Sequence, residues 1–380
     1  MACRASPRER QRKEEDLKRY LREKGVDVPR TKKTTFSPSG ESKDPFVVVD
    51  EAIERDGLRS LRLLDLDTVR QRWDVPWGGW RVFFGIGGWS ASFVLTAALV
   101  FPLLLLANGV DPRDFDANQQ SKYLVEVQLI ETVETFAVLW LLLRKFAPEM
   151  EGGDWFKMDF ADDPFSIEKG WLTWGLIGYV AVFFSIGLTA TAIDLGTHAV
   201  EAIASGANQG GIGNGAGEGA RAVAAAAADA AASSSASSAA ASAKDQGPGT
   251  IDAVLPMLKG GEGQTGRFFS ILTVTSVLAP LLEEVVFRGF LLASLTKWLP
   301  TPGAVVFSSV VFGAAHLAPR DFPQLVTLGI VLGFSYARTR NLLTPMFIHS
   351  LWNSGVLIVV AALVATGNES ALPGIAGGGQ

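Results

Sequence analysis

Long apolar runs separated by short polar stretches dominate the chain and predict a bundle of membrane-spanning helices. A helix rises 1.5 Å per residue, so about 20 apolar residues cross a hydrocarbon core about 30 Å thick. Two of the runs are shorter and need flanking residues or shielding by neighbouring helices. We predict an all-α, polytopic transmembrane bundle with about seven spans, or eight as the alternative. The predicted spans are residues 82–107, 125–143, 171–195, 268–294, 303–317, 325–337 and 342–365.

The segments around these spans divide the chain into five predicted parts. Ahead of the first span, leucines at helical spacing lead into the indoles of Trp73, Trp77 and Trp80. Indole rings prefer the headgroup region, so this cluster predicts the point where the chain enters the membrane. The parts are a solvent-exposed segment with charged and amphipathic helices (1–79), an N-terminal transmembrane half (80–200), a low-complexity Ala/Gly/Ser linker (201–264), a C-terminal transmembrane core (265–367) and a flexible tail (368–380).

Composition supports the membrane class and excludes several others. Hydrophobic residues make up 48% of the chain, charged residues 19%, and the mean hydropathy is +0.24, which argues against two soluble domains. The net charge is −5 without a basic patch interleaved with aromatics, so nucleic acid is not an expected partner. The single cysteine, Cys3, excludes an intramolecular disulfide and a cysteine metal site.

The basic residues of the predicted loops lie mostly on one side of the bundle. No Lys or Arg follows Arg340 in the sequence. The positive-inside rule therefore predicts an inside N-terminus and an outside C-terminus. The predicted inner loops hold Arg144, Lys145, Lys157, Lys169, Lys297, Arg338 and Arg340.

Three ionisable residues interrupt the apolar segment LAPLLEEVVFRGFLL. Each costs about 2.5–3.5 kcal/mol at bilayer depth unless it has a partner. On a helix Glu284 and Arg288 share a face and can neutralise each other, whereas Glu283 is rotated away by about 100°. An unpaired carboxylate facing a polar cavity is a candidate general base. The alternative is that all three form one buried charge network that positions helices.

Two histidines fall in the apolar segments that follow. His316 shares a helix face with Phe312, and His349 shares one with Asn353. A lone histidine in such a segment is more often a hydrogen-bonded core residue than a catalyst. A glutamate, two histidines and an asparagine in one region instead favour a catalytic site.

Glu131 and Glu134 share a face of the second predicted span. One interpretation is that they line the cavity or pair with a basic residue. The other, which we favour, is that they position helices.

Three ordered motifs resemble those of the CPBP (CAAX protease and bacteriocin-processing) family of intramembrane endopeptidases. The family includes the CAAX prenyl endopeptidase of the endoplasmic reticulum. The resemblance covers about residues 265 to 365, and every motif position is filled. The motifs are Glu283-Glu284-x3-Arg288, Phe312-x3-His316 and His349-x3-Asn353.

The resemblance implies a helical core with a water-filled cavity and a role for each motif residue. Glu283 and His316 would activate the attacking water, while His349 and Asn353 would stabilise the oxyanion on the scissile carbonyl. The remaining motif residues would give structural support: Glu284, Arg288 and Phe312.

Metal dependence stays open at this point. The family has also been described as metalloproteases, and Glu283, His316 and His349 would make a known ligand set for catalytic zinc. The H-E-x-x-H helix of soluble zinc proteases is missing, because the two histidines lie on different segments. We favour a mechanism without a cofactor, with zinc as the alternative.

The expected function is endoproteolysis within or near the membrane by direct attack of water, with a CAAX-type prenyl protease as one form of it. The expected partners are a membrane protein or lipidated peptide as substrate and the lipid bilayer. A catalytically silent membrane scaffold or regulator is the main alternative, and a transporter is a second one. The charged N-terminus and the Ala/Gly-rich insertion favour a chloroplast membrane, with the endoplasmic reticulum and a bacterial inner membrane as alternatives.

Overall fold

The computed structural model describes residues 69–150, 153–209 and 249–368. These residues form helices and contain no strand, so the all-α prediction is confirmed for this part of the chain. The charged and amphipathic helices predicted before residue 69, the linker between 210 and 248, and the tail after 368 lie outside the described residues.

The predicted apolar segments each coincide with a helix in this part of the chain. Several helices extend beyond the predicted limits, α3 most of all. The long helices are α1 (Gly79–Ala107), α2 (Ala117–Leu143), α3 (Trp171–Gln209), α4 (Gln264–Leu295), α5 (Thr301–Ala315), α6 (Phe322–Thr339) and α7 (Leu343–Ala365). Short helices and 3-10 turns lie between them at Pro112–Asp114, Arg144–Phe146, Ala147–Met150, Thr250–Ala253, Leu255–Leu258 and Pro319–Asp321.

Among the described residues, 4 helices are long and apolar enough to cross a membrane: α1, α3 over Trp171–Val200, α4 and α7. The helix α5 is apolar but shorter. The helix α2 has the length but carries several glutamates, which lower its hydropathy. A multi-pass membrane protein is therefore supported, while seven spans stays a prediction.

Local sequence signals explain several helix ends. The α2 helix begins with a capping box, in which Asp116 accepts from the backbone N–H of Gln119 and the Gln119 side chain accepts from the N–H of Asp116. The α5 and α6 helices each have a proline in the first turn, where its missing N–H costs nothing. The α6 helix stops at Arg340, whose backbone is left-handed with φ of 56°.

The α4 helix is the centre of the bundle. Its residues from Val285 to Leu292 are all buried, because α2, α5, α6 and α7 contact its successive segments. Apolar side chains on the outside of the bundle are instead exposed, including Phe83 and Phe184 at 75% each. That distribution is expected when the surroundings are lipid and not water.

Two of the three indoles predicted at the membrane entry are in the core. Trp73 is 4% exposed and stacks on Tyr336 with ring centroids 5.2 Å apart. Trp77 is fully buried, and its indole N–H donates to Ser294 Oγ at 2.9 Å. Only Trp80 of these three is exposed. Stacking and hydrogen-bond partners far along the chain thus hold Trp73 and Trp77 inside the protein, and their position at headgroup depth stays a prediction.

The predicted linker boundaries differ from the observed helices. The α3 helix continues to Gln209, and the next described range begins at residue 249. Leu255, Met257 and Leu258 are buried in a cluster with residues of α4 and α7. Composition alone missed this because the short apolar stretch TIDAVLPML follows directly on the Ala/Ser-rich region.

Candidate functional site

The two glutamates of α4 have different surroundings. Glu284 is fully buried, and its Oε1 accepts from Arg288 Nη1 at 2.8 Å across one helical turn. This is the ion pair that the spacing predicts. The Glu283 side chain is 20% exposed and lines a large cavity.

The two histidines converge on Glu283 from different helices. His316 lies at the C-terminal end of α5, and its Nε2 is 3.9 Å from Glu283 Oε2. His349 lies near the start of α7, and its Nε2 is 3.8 Å from the same oxygen. Both distances are too long for a direct hydrogen bond. The carboxylate and the two imidazoles therefore face one another across a gap.

The hydrogen bonds of the two Nδ1 atoms indicate which tautomer each histidine adopts. His316 Nδ1 is 2.8 Å from the Phe312 carbonyl oxygen, which can only accept, so Nδ1 carries the proton. His349 Nδ1 is 2.9 Å from Glu284 Oε1, an oxygen that also accepts from Arg288. In both neutral rings Nε2 is then the basic nitrogen, and it is this nitrogen that faces Glu283.

The contact between Glu284 and His349 is the feature that sequence reasoning missed. One carboxylate oxygen of Glu284 serves both the Arg288 guanidinium and the His349 ring. The partners His349 and Glu284 are 65 residues apart, so no local spacing indicates the contact. Glu284 therefore orients a histidine of the site in addition to forming an ion pair.

Phe312 packs against the two imidazoles and the Arg288 guanidinium. Its ring is fully buried and meets the His316 ring at 4.7 Å and the His349 ring at 5.8 Å between centroids, both edge to face. The Arg288 guanidinium carbon lies 4.5 Å from the centre of the same ring, within cation–π distance. Phe312 thus packs against both imidazoles and the guanidinium.

A π-helical turn in α4 positions Asn353 of α7, the fourth candidate catalytic residue. In Val274–Leu278 the N–H of Ala279 donates to Val274 O, so the next bond of the same type would come from residue 280. That residue is Pro280, which has no N–H. The Thr275 carbonyl is left without a helical donor and accepts instead from Asn353 Nδ2 at 2.7 Å. One amide N–H of Asn353 is used in this way, and the second remains for another acceptor.

All four candidate catalytic residues line one cavity of about 710 Å³ between α3, α4, α5, α6 and α7. Most of its wall is apolar, which suits a hydrophobic ligand or peptide, and polar groups are concentrated in two places. One polar area is the catalytic group itself. The other comprises Asp194, Thr197, Thr250, Arg320, Asp321 and Gln324.

The second polar area ties the segment after residue 249 to the loop that follows His316. Asp321 Oδ2 accepts from the backbone N–H and the hydroxyl of Thr250 at 2.6 and 2.8 Å. Arg320 Nη2 lies 3.1 Å from Asp252 Oδ2. These contacts hold a segment that contributes Thr250, Ile251 and Val254 to the cavity wall.

Glu131 and Glu134 are placed away from this cavity. Glu131 is 3% exposed, and Glu134 accepts from the Thr96 hydroxyl at 2.8 Å. Neither residue lines the cavity. Contact with α1 through Thr96 agrees with the helix-positioning interpretation.

A metal site was tested against the arrangement of donor atoms. Within the described ranges, no group of at least 3 His, Cys, Asp or Glu side chains is arranged to hold a metal ion. Zinc binding by Glu283, His316 and His349 therefore stays a hypothesis for experiment.

Comparison with known proteins identifies the C-terminal region. Residues 265–355 match the family described as Type II CAAX prenyl endopeptidase Rce1-like. This segment contains all three motifs, and the predicted resemblance to CAAX-type proteases is confirmed for it.

Two curated bacterial proteins are similar over 89 residues. A candidate membrane peptidase, YdiL of Bacillus subtilis (strain 168), is 32% identical over 23% of this chain. The membrane-embedded CAAX protease MroQ of Staphylococcus aureus (strain USA300) is 33% identical over 22% of this chain. The match spans 36% of the length of each relative. No solved structure matches the chain, and these bacterial relatives do not support the predicted chloroplast location.

Proposed function

We propose, from the premise that residues 265–355 carry a Rce1-like CAAX-protease domain, that this chain is a membrane-embedded endopeptidase. The observation that carries the proposal is the convergence of one carboxylate and two imidazoles. Glu283 Oε2 lies 3.8–3.9 Å from the Nε2 atoms of His349 and His316, and the group faces a cavity of about 710 Å³.

The proposed base is the pair of Glu283 and His316. A water oxygen about 2.8 Å from both Glu283 Oε2 and His316 Nε2 would have two acceptors for its protons. As that oxygen attacks the carbonyl carbon of the substrate, its proton moves to Glu283 or His316 and the carbonyl electrons move to oxygen. When the C–N bond breaks, the stored proton passes to the leaving amine nitrogen, which completes hydrolysis.

The proposed oxyanion donors are His349 and Asn353. Asn353 has one amide N–H beyond the one that bonds to Thr275, and His349 donates from Nε2 when its ring is protonated at both nitrogens. The carboxylates of Glu283 and Glu284 lie on either side of that ring. Fixed donors of this kind contribute about 2.7–4 kcal/mol each to transition-state stabilisation.

The proposed substrates are membrane proteins or lipidated peptides, because the cavity wall is mainly apolar and belongs to helices of membrane character. A CAAX-type prenylated peptide is the first one to test. Membranes from cells that express the wild-type chain or Glu283→Gln are compared by terminal proteomics. We expect peptides with new termini only in the wild-type sample. Identical terminal peptides in both samples would favour the alternative function, a catalytically silent membrane scaffold or regulator.

The first prediction concerns the proline that frees the Thr275 carbonyl. Pro280→Ala supplies an N–H that competes with Asn353 for this acceptor, so we expect cleavage to fall about tenfold. Helix stability should stay equal or rise, because alanine is favoured over proline in a helix interior by about 3 kcal/mol. Cleavage rate and melting temperature are measured on the same preparations.

A double-mutant cycle tests whether Pro280 acts through Asn353. If it does, Pro280→Ala has little further effect on cleavage in an Asn353→Ala background. Full additivity of the two changes would contradict the positioning role.

The second prediction concerns metal. We expect detergent-purified protein to contain much less than one equivalent of zinc and to retain activity within about twofold after chelation. Metal content is measured by elemental analysis of wild type and His316→Ala in parallel. A stoichiometric zinc signal that disappears in the variant would replace the metal-free mechanism with zinc catalysis.

A further inference from the structure

One end of the bundle combines exposed aromatic rings with several basic side chains. The start of α1 and the ends of α2 and α4 meet there, since Trp77 contacts both Phe146 and Phe290. The Arg81 guanidinium carbon lies 4.1 Å from the Trp80 ring centre and 4.6 Å from that of Phe146. We define the basic collar as the set Arg81, Arg144, Lys145 and Lys297.

Among the described residues, no carboxylate compensates the positive charge of the basic collar. Lys297 Nζ donates to the carbonyls of Val75 and Trp77 at 3.0 and 2.7 Å, which are neutral acceptors. In the part of the chain that the structure describes, no carboxylate lies within ion-pair distance of any collar residue. The positive-inside rule places this end at the inner leaflet, where anionic lipid headgroups attract basic side chains.

An apolar groove opens beside the collar on the outer surface of the bundle. It has a volume of about 450 Å³ and lies between α1, the end of α4 and α5. Its wall is almost wholly apolar and includes Gly79, Phe83, Gly87, Leu291, Trp298 and Phe307. It is separate from the catalytic cavity, with which it shares no lining residue.

The groove faces the region that lipid tails occupy. Phe83 is 75% exposed, Phe307 53% and Trp298 49%, and α1 is long and apolar enough to span a membrane. Trp298 marks the end of the groove nearest the collar, because Lys297 directly precedes it. A ligand that fits both features has a flexible apolar chain and a negative head.

We propose that this groove binds one acyl chain of an anionic glycerophospholipid, with the phosphate held at the basic collar. Bulk lipid chains pack loosely against a concave protein surface. An acyl chain seated in the groove instead makes close van der Waals contact with the groove wall. The collar supplies charge complementarity to the phosphate, with Lys297, next to the groove residue Trp298, as the principal donor.

Two adjacent glycines of α1 allow a matched test. A Cβ atom built at Gly87 or at Gly88 meets nothing within 4 Å, so a side chain can start at either position without a contact at its Cβ. Gly87 lines the groove and Gly88 does not. Gly87→Phe therefore fills the groove, while Gly88→Phe makes the same chemical change on the neighbouring surface.

The full chain is reconstituted in nanodiscs that contain equal amounts of phosphatidylglycerol and phosphatidylcholine. It is then transferred to mild detergent, and the retained lipids are counted by native mass spectrometry. We expect wild type and Gly88→Phe to retain phosphatidylglycerol preferentially and Gly87→Phe to retain several-fold less of it. Lys297→Gln should reduce the preference for phosphatidylglycerol about fivefold, since each basic residue near an anionic surface contributes about that factor.

The outcomes distinguish the proposal from nonspecific lipid retention. Equal retention of the two lipids by the wild type, or equal retention by the Gly87 and Gly88 variants, would overturn it. Melting temperatures of all variants are measured in the same detergent, and a melting temperature like that of the wild type makes the comparison valid. If Gly87→Phe unfolds, Gly87→Leu provides a smaller filling of the same groove.

Discussion

Glu283→Gln is expected to reduce peptide-bond cleavage by about 10²–10⁴-fold, the usual contribution of a general base, while the protein stays folded and membrane-inserted. Glutamine keeps the size and hydrogen-bonding capacity of the side chain but cannot take a proton from water. The structure gives a reason to expect normal folding, because Glu283 forms no ion pair with a Lys or Arg of the described residues and lies 3.8–3.9 Å from the two imidazoles.

The measurement is the cleavage rate of one identified peptide by purified protein in lipid vesicles, together with melting temperature. Glu126→Gln is the matched control, since it is the same chemical change at an exposed position of α2. Normal cleavage by Glu283→Gln would eliminate Glu283 as the base. A lower melting temperature with proportionate loss of cleavage would assign it to the charge network that positions helices.

Much of the fold could be predicted because the membrane environment leaves a strong signal in the sequence. Each predicted apolar segment coincides with a described helix, including α2 despite its glutamates. The burial of Trp73 and Trp77 could not be predicted from preference for the headgroup region. Their burial depends on Tyr336 and Ser294, which are more than 200 residues away in sequence.

The candidate site divides in the same way between local and distant contacts. The pairs Glu284–Arg288 and Phe312–His316 follow from helical spacing and are found in contact. The contact between Glu284 and His349 joins two motifs and depends on how α4 and α7 pack. Spacing within a motif thus predicts neighbours on one helix, whereas the resemblance was needed to bring the motifs together.

A second large effect is expected for Glu284→Gln, which leaves the Arg288 guanidinium buried without its carboxylate. Both side chains of the pair are at most 1% exposed, and breaking such a pair by removing one partner typically costs about 3–5 kcal/mol. We expect a lower melting temperature and faster proteolysis in detergent. Cleavage should fall further than the folded fraction, because His349 also loses the carboxylate at its Nδ1.

The double variant Glu284→Gln/Arg288→Met separates these two effects. Replacing both members of a buried ion pair with neutral side chains is often neutral or stabilising, so the melting temperature should recover most of its loss. Cleavage should stay low, because neither change restores a negative charge beside His349, and removing a carboxylate that orients a catalytic histidine costs up to about 10⁴-fold in rate. Recovery of cleavage together with stability would restrict Glu284 to the ion pair with Arg288. A single variant that melts like wild type would show instead that the buried guanidinium does not depend on Glu284, since Gly329 O and the Phe312 ring also contact it.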